Sequence, residues 1–170
     1  SGKAYQLEAS PRGLFWPPLP HGDKEGWKRL QANAPFFAPN MGTVGAGLSA
    51  EKPHEGAAYP YPILIAYPTQ DKGLAYSMTK AMVEQFPKYK GAAPGINGWA
   101  LDRQILKWAV PYHEGAIAYL KEAGVWKDEH QQHNDKLIER QQVLKKAWAE
   151  VSAKKIGDDE AFKKAWMETR

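Results

Sequence analysis

The chain has 170 residues, a formal net charge of +4, 43% hydrophobic and 25% charged residues, and no cysteine. One domain of ordinary globular composition is expected, and the missing cysteine removes disulfides, thiolate zinc sites and cysteine nucleophiles together. No run of about 18 apolar residues exists to span a membrane, and the pairs Lys145-Lys146, Lys154-Lys155 and Lys163-Lys164 are interleaved with acids, which reads as solvated helix face and not as a nucleic-acid footprint.

Two compositional parts divide the chain. Residues 1–69 are rich in proline and glycine, and residues 70–170 carry helix periodicity. In the first part, Tyr5 and Leu7 alternate with Gln6 and Glu8, which predicts a short strand over Ala4–Ala9. Ser10-Pro11-Arg12-Gly13 is a turn by composition. Leu14-Phe15-Trp16 is an apolar run closed by Pro17-Pro18. Asp23 is placed to cap a short helix carrying Trp27 and Leu30 on one face, and Pro35 ends it. Thr43–Leu48 is glycine-rich and predicted extended. Tyr59-Pro60-Tyr61-Pro62 is stiff and non-helical, because each proline fixes its own φ and pushes its predecessor to extended geometry. The continuous apolar run Ile63–Tyr67 predicts a strand buried on both faces.

The second part opens with Thr69-Gln70-Asp71 before a helix in which Leu74, Met78, Met82 and Phe86 recur every four residues. Pro87 ends or kinks it. Pro94–Gly98 is a turn, and a helix is predicted from Trp99 to about Ala109 until Pro111-Tyr112 breaks it. His113–Ala123 is the next helix, with Gly124 as its left-handed stop. Asp128 opens a long helix with Leu137, Leu144, Trp148 and Val151 in one stripe. After Gly157, Asp158-Asp159-Glu160 starts a final short helix with Phe162 and Trp166 inward.

Catalytic constellations are not found. His113 has no serine, cysteine or aspartate arranged beside it for nucleophilic work. It is better read as a histidine at a helix start that bonds a neighbouring element, with Gly115 and Ala116 permitting close helix packing. His130 and His133 are three apart, a spacing that suits a metal. No further ligand stands at a fixed distance, so no metal and no cofactor are expected. The glycine-rich run Gly42–Gly47 has no lysine and no following helix, unlike a P-loop.

The segment Val110–Trp126 holds Pro111-Tyr112-His113-Glu114-Gly115-Ala116, then Tyr119, Glu122, Gly124 and Trp126. It closely resembles the proline-x-His-x-Gly-Ala block of TAXI-family solute receptors, the extracytoplasmic substrate-binding proteins of TRAP transporters. The resemblance continues through Tyr59-Pro60-Tyr61-Pro62, Tyr76–Met82 and Pro94-Gly95-Ile96-Asn97-Gly98-Trp99, and covers roughly Ala4 to Val151. It implies an α/β fold, part of a two-lobed periplasmic-binding-protein (class II) architecture, of which this chain resembles the helix-rich carboxy-terminal half. It also implies a periplasmic or extracytoplasmic place. The implied function is capture of a small organic anion or amino acid for membrane permease subunits, without covalent chemistry. The partners expected are a carboxylate-bearing solute, the permease, and either a second copy or an amino-terminal half. The alternative is a structural or protein-interaction module derived from a receptor half, with no ligand of its own.

A carboxylate needs a few placed donors in a largely apolar cleft, and arginine is its usual bidentate partner. Of the five arginines, Arg12 sits in a turn between apolar segments and ranks first. Trp16 and Thr43 follow. The family's loop near Pro39–Gly47 normally carries a tyrosine. Here Thr43 or Val44 stands nearby instead, which either passes the expected contact to Tyr59 or Tyr61 or implies a different pocket.

Overall fold

The computed structural model describes residues 2–59, 63–93 and 95–170. The described chain is helix-rich with one two-stranded sheet, compatible with an α/β class. It forms two compact units, Ser1–Ile65 with Ala81–Ile105, and Ala66–Lys80 with Leu106–Arg170.

In the first unit, residues Gly2–Glu8 form helix α1 and not the strand that the alternation predicts. A half-buried strand needs a partner and a covered face. Tyr5 and Leu7 are both exposed and α1 buries no residue. With nothing to pack against, the helix preference of Lys, Ala, Gln, Leu and Glu decides. The turn at Ser10–Gly13 is present, closed by the Gly13 N–H on the Ser10 carbonyl at 2.9 Å, with Gly13 at φ 66°.

Helix α2 spans Lys24–Asn33, and the Asp23 carboxylate caps it by accepting from the Gly26 N–H at 2.8 Å. Its buried face is Trp27, whose indole N–H donates to the Pro20 carbonyl at 3.0 Å and whose ring stands edge-on to His21. Strands β1 (Ala38–Gly42) and β2 (His54–Ala58) then pair antiparallel, with Ala38 opposite Ala58 and Gly42 opposite His54. The segment before α2 straps onto β2: the Leu19 N–H donates to the Glu55 carbonyl at 2.8 Å and the His21 N–H to the Glu55 carboxylate at 2.7 Å.

Thr43–Leu48 is not an extended run. It tightens into a turn in which the Leu48 N–H donates to the Gly45 carbonyl at 3.1 Å and Gly47 takes φ 70°. The strand lies upstream, in a Pro39-containing segment that sequence preference alone would not select. The predicted strand Ile63–Tyr67 has no regular structure, and it is exposed throughout, Tyr67 at 82%. A continuous apolar run states that a segment suits burial on both faces. It does not state what covers it.

Helix α3 spans Lys72–Glu84, with the Asp71 carboxylate accepting from the Leu74 N–H at 2.8 Å. Its last residues, from Ala81, belong to the first unit, followed by the one-turn helix α4 (Phe86–Tyr89) with Pro87 in its first turn. Pro94 lies outside the described residues. Gly95, at φ 84°, leads into a 3-10 turn at Ile96–Trp99. The helix predicted from Trp99 to Ala109 reduces to a second 3-10 turn, Leu101–Arg103, and irregular chain beyond it. The Gln104 side-chain amide donates to the carbonyls of Gly98 and Ala100, at 2.8 and 3.0 Å, and so satisfies groups that a continuing helix would use. Pro111 limits such a helix to about two to three turns, too short to persist without strong packing.

The second unit holds α5 (Glu114–Glu122), α6 (Asp128–Ala153) and α7 (Asp159–Thr169), with the amino-terminal part of α3. Its core is Leu106, Tyr119, Leu120, Trp126, Ala147 and Val151, the last wholly buried. Buried Asn134 on α6 accepts the Tyr112 N–H at 2.7 Å, which satisfies a backbone donor beside a proline break. The expected α6 stripe is only partly inward: Val151 is buried, Leu137 and Leu144 are half-buried, and Trp148 is exposed. Asp158 caps α7, accepting from the Ala161 N–H at 2.8 Å.

Candidate functional site

In the second unit the Pro111–Gly124 block acts as an architectural joint. His113 is the N-cap of α5. Its Nδ1 accepts from the Gly115 N–H at 3.1 Å, so its Nε2 carries the proton and donates to the Gln70 carbonyl at 3.1 Å. One imidazole thus caps α5 and ties it to the segment before α3. Gly115 permits that approach: a Cβ there would collide with the Lys72 carbonyl oxygen and stand 2.7 Å from the Tyr76 nitrogen. At the other end Gly124, at φ 73°, ends the helix.

The same helix pair carries an exposed polar cluster. The Tyr76 hydroxyl donates to Glu122 at 2.5 Å, and Lys80 lies 3.4 Å from the same carboxylate. The Tyr76 hydrogen bond, then Lys80, hold the Glu122 carboxyl below its ordinary range, while that bond pushes the Tyr76 hydroxyl up. The Lys80 ammonium is raised chiefly by Glu122. Deeper in the unit, Trp108, Tyr112, Trp126 and His130 follow one another at ring separations of 5.2 to 5.7 Å. Burial pushes the Tyr112 hydroxyl far above its ordinary value. His130 Nδ1 accepts from the Lys127 N–H, and His133 Nε2 meets the Trp108 carbonyl at 2.6 Å. Each histidine is occupied within the protein, and among the described residues no group of three or more His, Asp or Glu is arranged to hold a metal.

A groove of about 410 Å³ runs beside α6 and α7, lined by Pro68, Gln141, Leu144, Lys145, Trp148 and Trp166. Trp148 packs edge-on to both Phe162 and Trp166. Nothing in the sequence marked this groove apart from the stripe itself.

Arg12, Trp16, Thr43 and Tyr59, the sequence-predicted site residues that the structure describes, fall in the first unit. Tyr61 lies outside the described residues. Arg12 sits in the exposed turn after α1, its N–H on the Ser10 hydroxyl. Trp16 donates its indole N–H to the Ala46 carbonyl at 2.9 Å and stands 6.5 Å from His54. Thr43 directly follows β1 and enters the same glycine-rich turn. The structure therefore brings Trp16 and Thr43 to one end of the hairpin. Tyr59 follows β2 at the other end, its ring edge-on to Phe37 at 5.8 Å. With Ala38 opposite Ala58, the hairpin length puts about 20 Å between Thr43 and Tyr59 along the strands.

Glu8 is the residue that sequence reasoning missed. Its carboxylate accepts the Gly47 N–H at 2.7 Å, across 39 positions of sequence. The central peptide of the Gly45–Leu48 turn is thereby held at both ends, its carbonyl by Trp16 and its N–H by Glu8. No local pattern announces a contact between an exposed helix end and a glycine turn so far along the chain.

The sequence profile of the NMT1-like family matches residues 21–124, more than half of the chain. The chain belongs to the NMT1-like family, within the periplasmic solute-binding receptor group. The match takes in α2, the hairpin, α3 and the whole of α5, and it ends on Gly124. Thr43, Tyr59 and Tyr61 lie inside it, Arg12 and Trp16 outside. No curated protein and no solved structure matches the chain. Among the described residues no helix is long and apolar enough to cross a membrane.

Proposed function

We propose that this chain is the solute-binding component of a TRAP transporter of the TAXI type. It captures a small organic anion or amino acid outside the cytoplasm and delivers it to a membrane permease. The observation that carries this reading is the family match over residues 21–124, which ends on the Pro111–Gly124 block that resembles the TAXI receptors. No covalent step is involved. Selectivity comes from a few donors placed in a largely apolar cleft, and commitment comes from closure of two lobes about a hinge.

Support also comes from surface that the described residues leave uncovered. In the first unit Phe15, Val44 and Ile65, and in the second Tyr67, are each at least 78% exposed, and large apolar side chains left this open are available to a partner. A two-lobed class II receptor supplies such a surface with a partner. The same exposure favours a second reading, a protein-interaction module with no solute of its own.

The test is a thermal-shift screen of the whole receptor, with any chain that flanks these residues in its gene, against mono- and dicarboxylates and amino acids. A ligand that binds only the native state stabilises it by about 2.7 kcal/mol at a hundredfold excess over its Kd. Stabilisation by one carboxylate class supports the receptor reading. A flat response across the panel, with a partner protein retained through residues 63–67, transfers the assignment to the interaction module.

A further inference from the structure

We propose that the Gly45–Leu48 turn is a carboxylate seat, and that the chain's own Glu8 occupies it as a displaceable internal occupant. The inference deepens the receptor reading and rests on it for the claim that the competing carboxylate is that of a solute.

The seat is a single peptide plane. Gly47 holds φ 70°, open to glycine at little cost, so the Ala46–Gly47 peptide turns both its polar ends outward from the turn. The carbonyl end is fixed by the Trp16 indole at 2.9 Å, and Ala46 itself is buried. The N–H end is left as a fixed donor in a rigid turn. What fills it is a carboxylate oxygen, at the 2.7 Å expected of a charge-assisted bond. Trp16 stands beside His54 on the carbonyl side of the plane, so the peptide is braced from the side opposite its N–H.

The occupant is weakly held by everything else. Helix α1 has seven residues and buries none of them, and Glu8 is its last. A helix that short contributes little stability of its own. A free carboxylate can take the Gly47 N–H while α1 swings away, because α1 has no buried residue of its own to expose. The turn remains shaped by Trp16 and by the Gly45–Leu48 bond, neither of which involves α1.

The experiment is a titration of the isotopically labelled 170-residue chain with sodium acetate, at ionic strength held constant with sodium chloride, following the Gly47 amide. It is run on the wild type, Glu8→Ala and Glu8→Gln. The expected result is a saturable Gly47 shift in Glu8→Ala, at an acetate concentration at least tenfold below that needed in the wild type. Gly157, remote in sequence, should stay still. An equal response in wild type and variant, or none at Gly47 in the variant, overturns the proposal. The β1 and β2 amides report whether the hairpin is intact. If Glu8→Ala loses them, Glu8→Gln decides by the same criterion, and loss in both variants makes Glu8 a structural tie and overturns the proposal. Acetate reads the seat alone, so a failed solute screen and an empty seat remain separate outcomes.

Discussion

The His113 imidazole reaches the carbonyl oxygen of Gln70 at 3.1 Å while its other nitrogen caps the helix that it begins. The two bonds have different chemistry and separate by substitution. His113→Ala removes both the cap and the tie, and should destabilise the chain by about 2 kcal/mol, the sum of a lost N-cap and a lost hydrogen bond. His113→Asn keeps a capping acceptor but is too short for Gln70, and should lose about half as much. Urea denaturation read by circular dichroism checks the order. A His113→Ala protein as stable as the wild type would remove the structural role.

Gly115→Ala tests the close approach. In an ordinary helix the change is stabilising, by roughly 0.5–1 kcal/mol. Here the added Cβ meets the Lys72 carbonyl and lies 2.9 Å from the Ala75 Cβ. Overpacking of that kind costs about 1–3 kcal/mol, so the sign reverses and the variant melts lower. A higher melting temperature would show that α3 and α5 separate without penalty.

Those residues also show how much of the molecule the sequence made legible. The caps at Asp23, Asp71 and Asp158, and the stop at Gly124, are local chemistry, and each stands where the pattern placed it; His113, read as the first residue of its helix, is instead the cap just before it. The strands were not legible, because a strand is defined by its partner. Ala4–Ala9 alternates correctly but finds no ladder, whereas Ala38–Gly42 has no strand pattern and finds β2. Ile63–Tyr67 reads as buried although no described strand pairs with it. For the site, sequence order could bring Trp16 and Thr43 into consideration together. It could not supply Glu8, whose role depends on a contact 39 residues away.

The Tyr76–Glu122 contact predicts an acid-side effect. The folded carboxyl lies below its ordinary 4.5, so the native state binds fewer protons than the unfolded chain. Its contribution is present above about pH 4.5 and is lost as pH falls through the lowered value. Tyr76→Phe removes the largest cause of that shift. The variant should lose less stability than the wild type between pH 5 and the acid transition, to a modest extent because the pair is exposed. Parallel acid profiles for the two proteins would discount the contact.

Tyr112 predicts the opposite limb. Burial raises its phenol above the ordinary value of 10.0, so the folded protein retains a proton that the unfolded chain releases. That contribution is complete below pH 10 and declines as pH rises toward the raised value. Phenolate absorbance should therefore leave Tyr112 untitrated until alkaline unfolding, and Tyr112→Phe should shrink that late step by one tyrosine. A single smooth titration, unchanged by the substitution, would place the Tyr112 hydroxyl in solvent.

The candidate ligand residues fall at two ends of one hairpin, and that geometry is testable by coupling. Trp16 holds the Ala46 carbonyl three residues from Thr43, whereas about 20 Å of strand separates Thr43 from Tyr59. A small carboxylate cannot span that distance. Once a solute is found, Thr43→Ala and Trp16→Phe should be non-additive in affinity, because both act on one turn. Thr43→Ala and Tyr59→Phe should add within about 0.5 kcal/mol, as separated sites do. Loss of one ligand hydrogen bond is worth about 0.5–1.5 kcal/mol, or roughly a two- to tenfold change in Kd. Only one of Thr43→Ala and Tyr59→Phe should show it. Titration calorimetry on the singles and doubles measures both quantities. Strong coupling between Thr43 and Tyr59, with each substitution weakening binding tenfold, would mean that one ligand touches both ends and that the hairpin does not keep them apart in the bound protein.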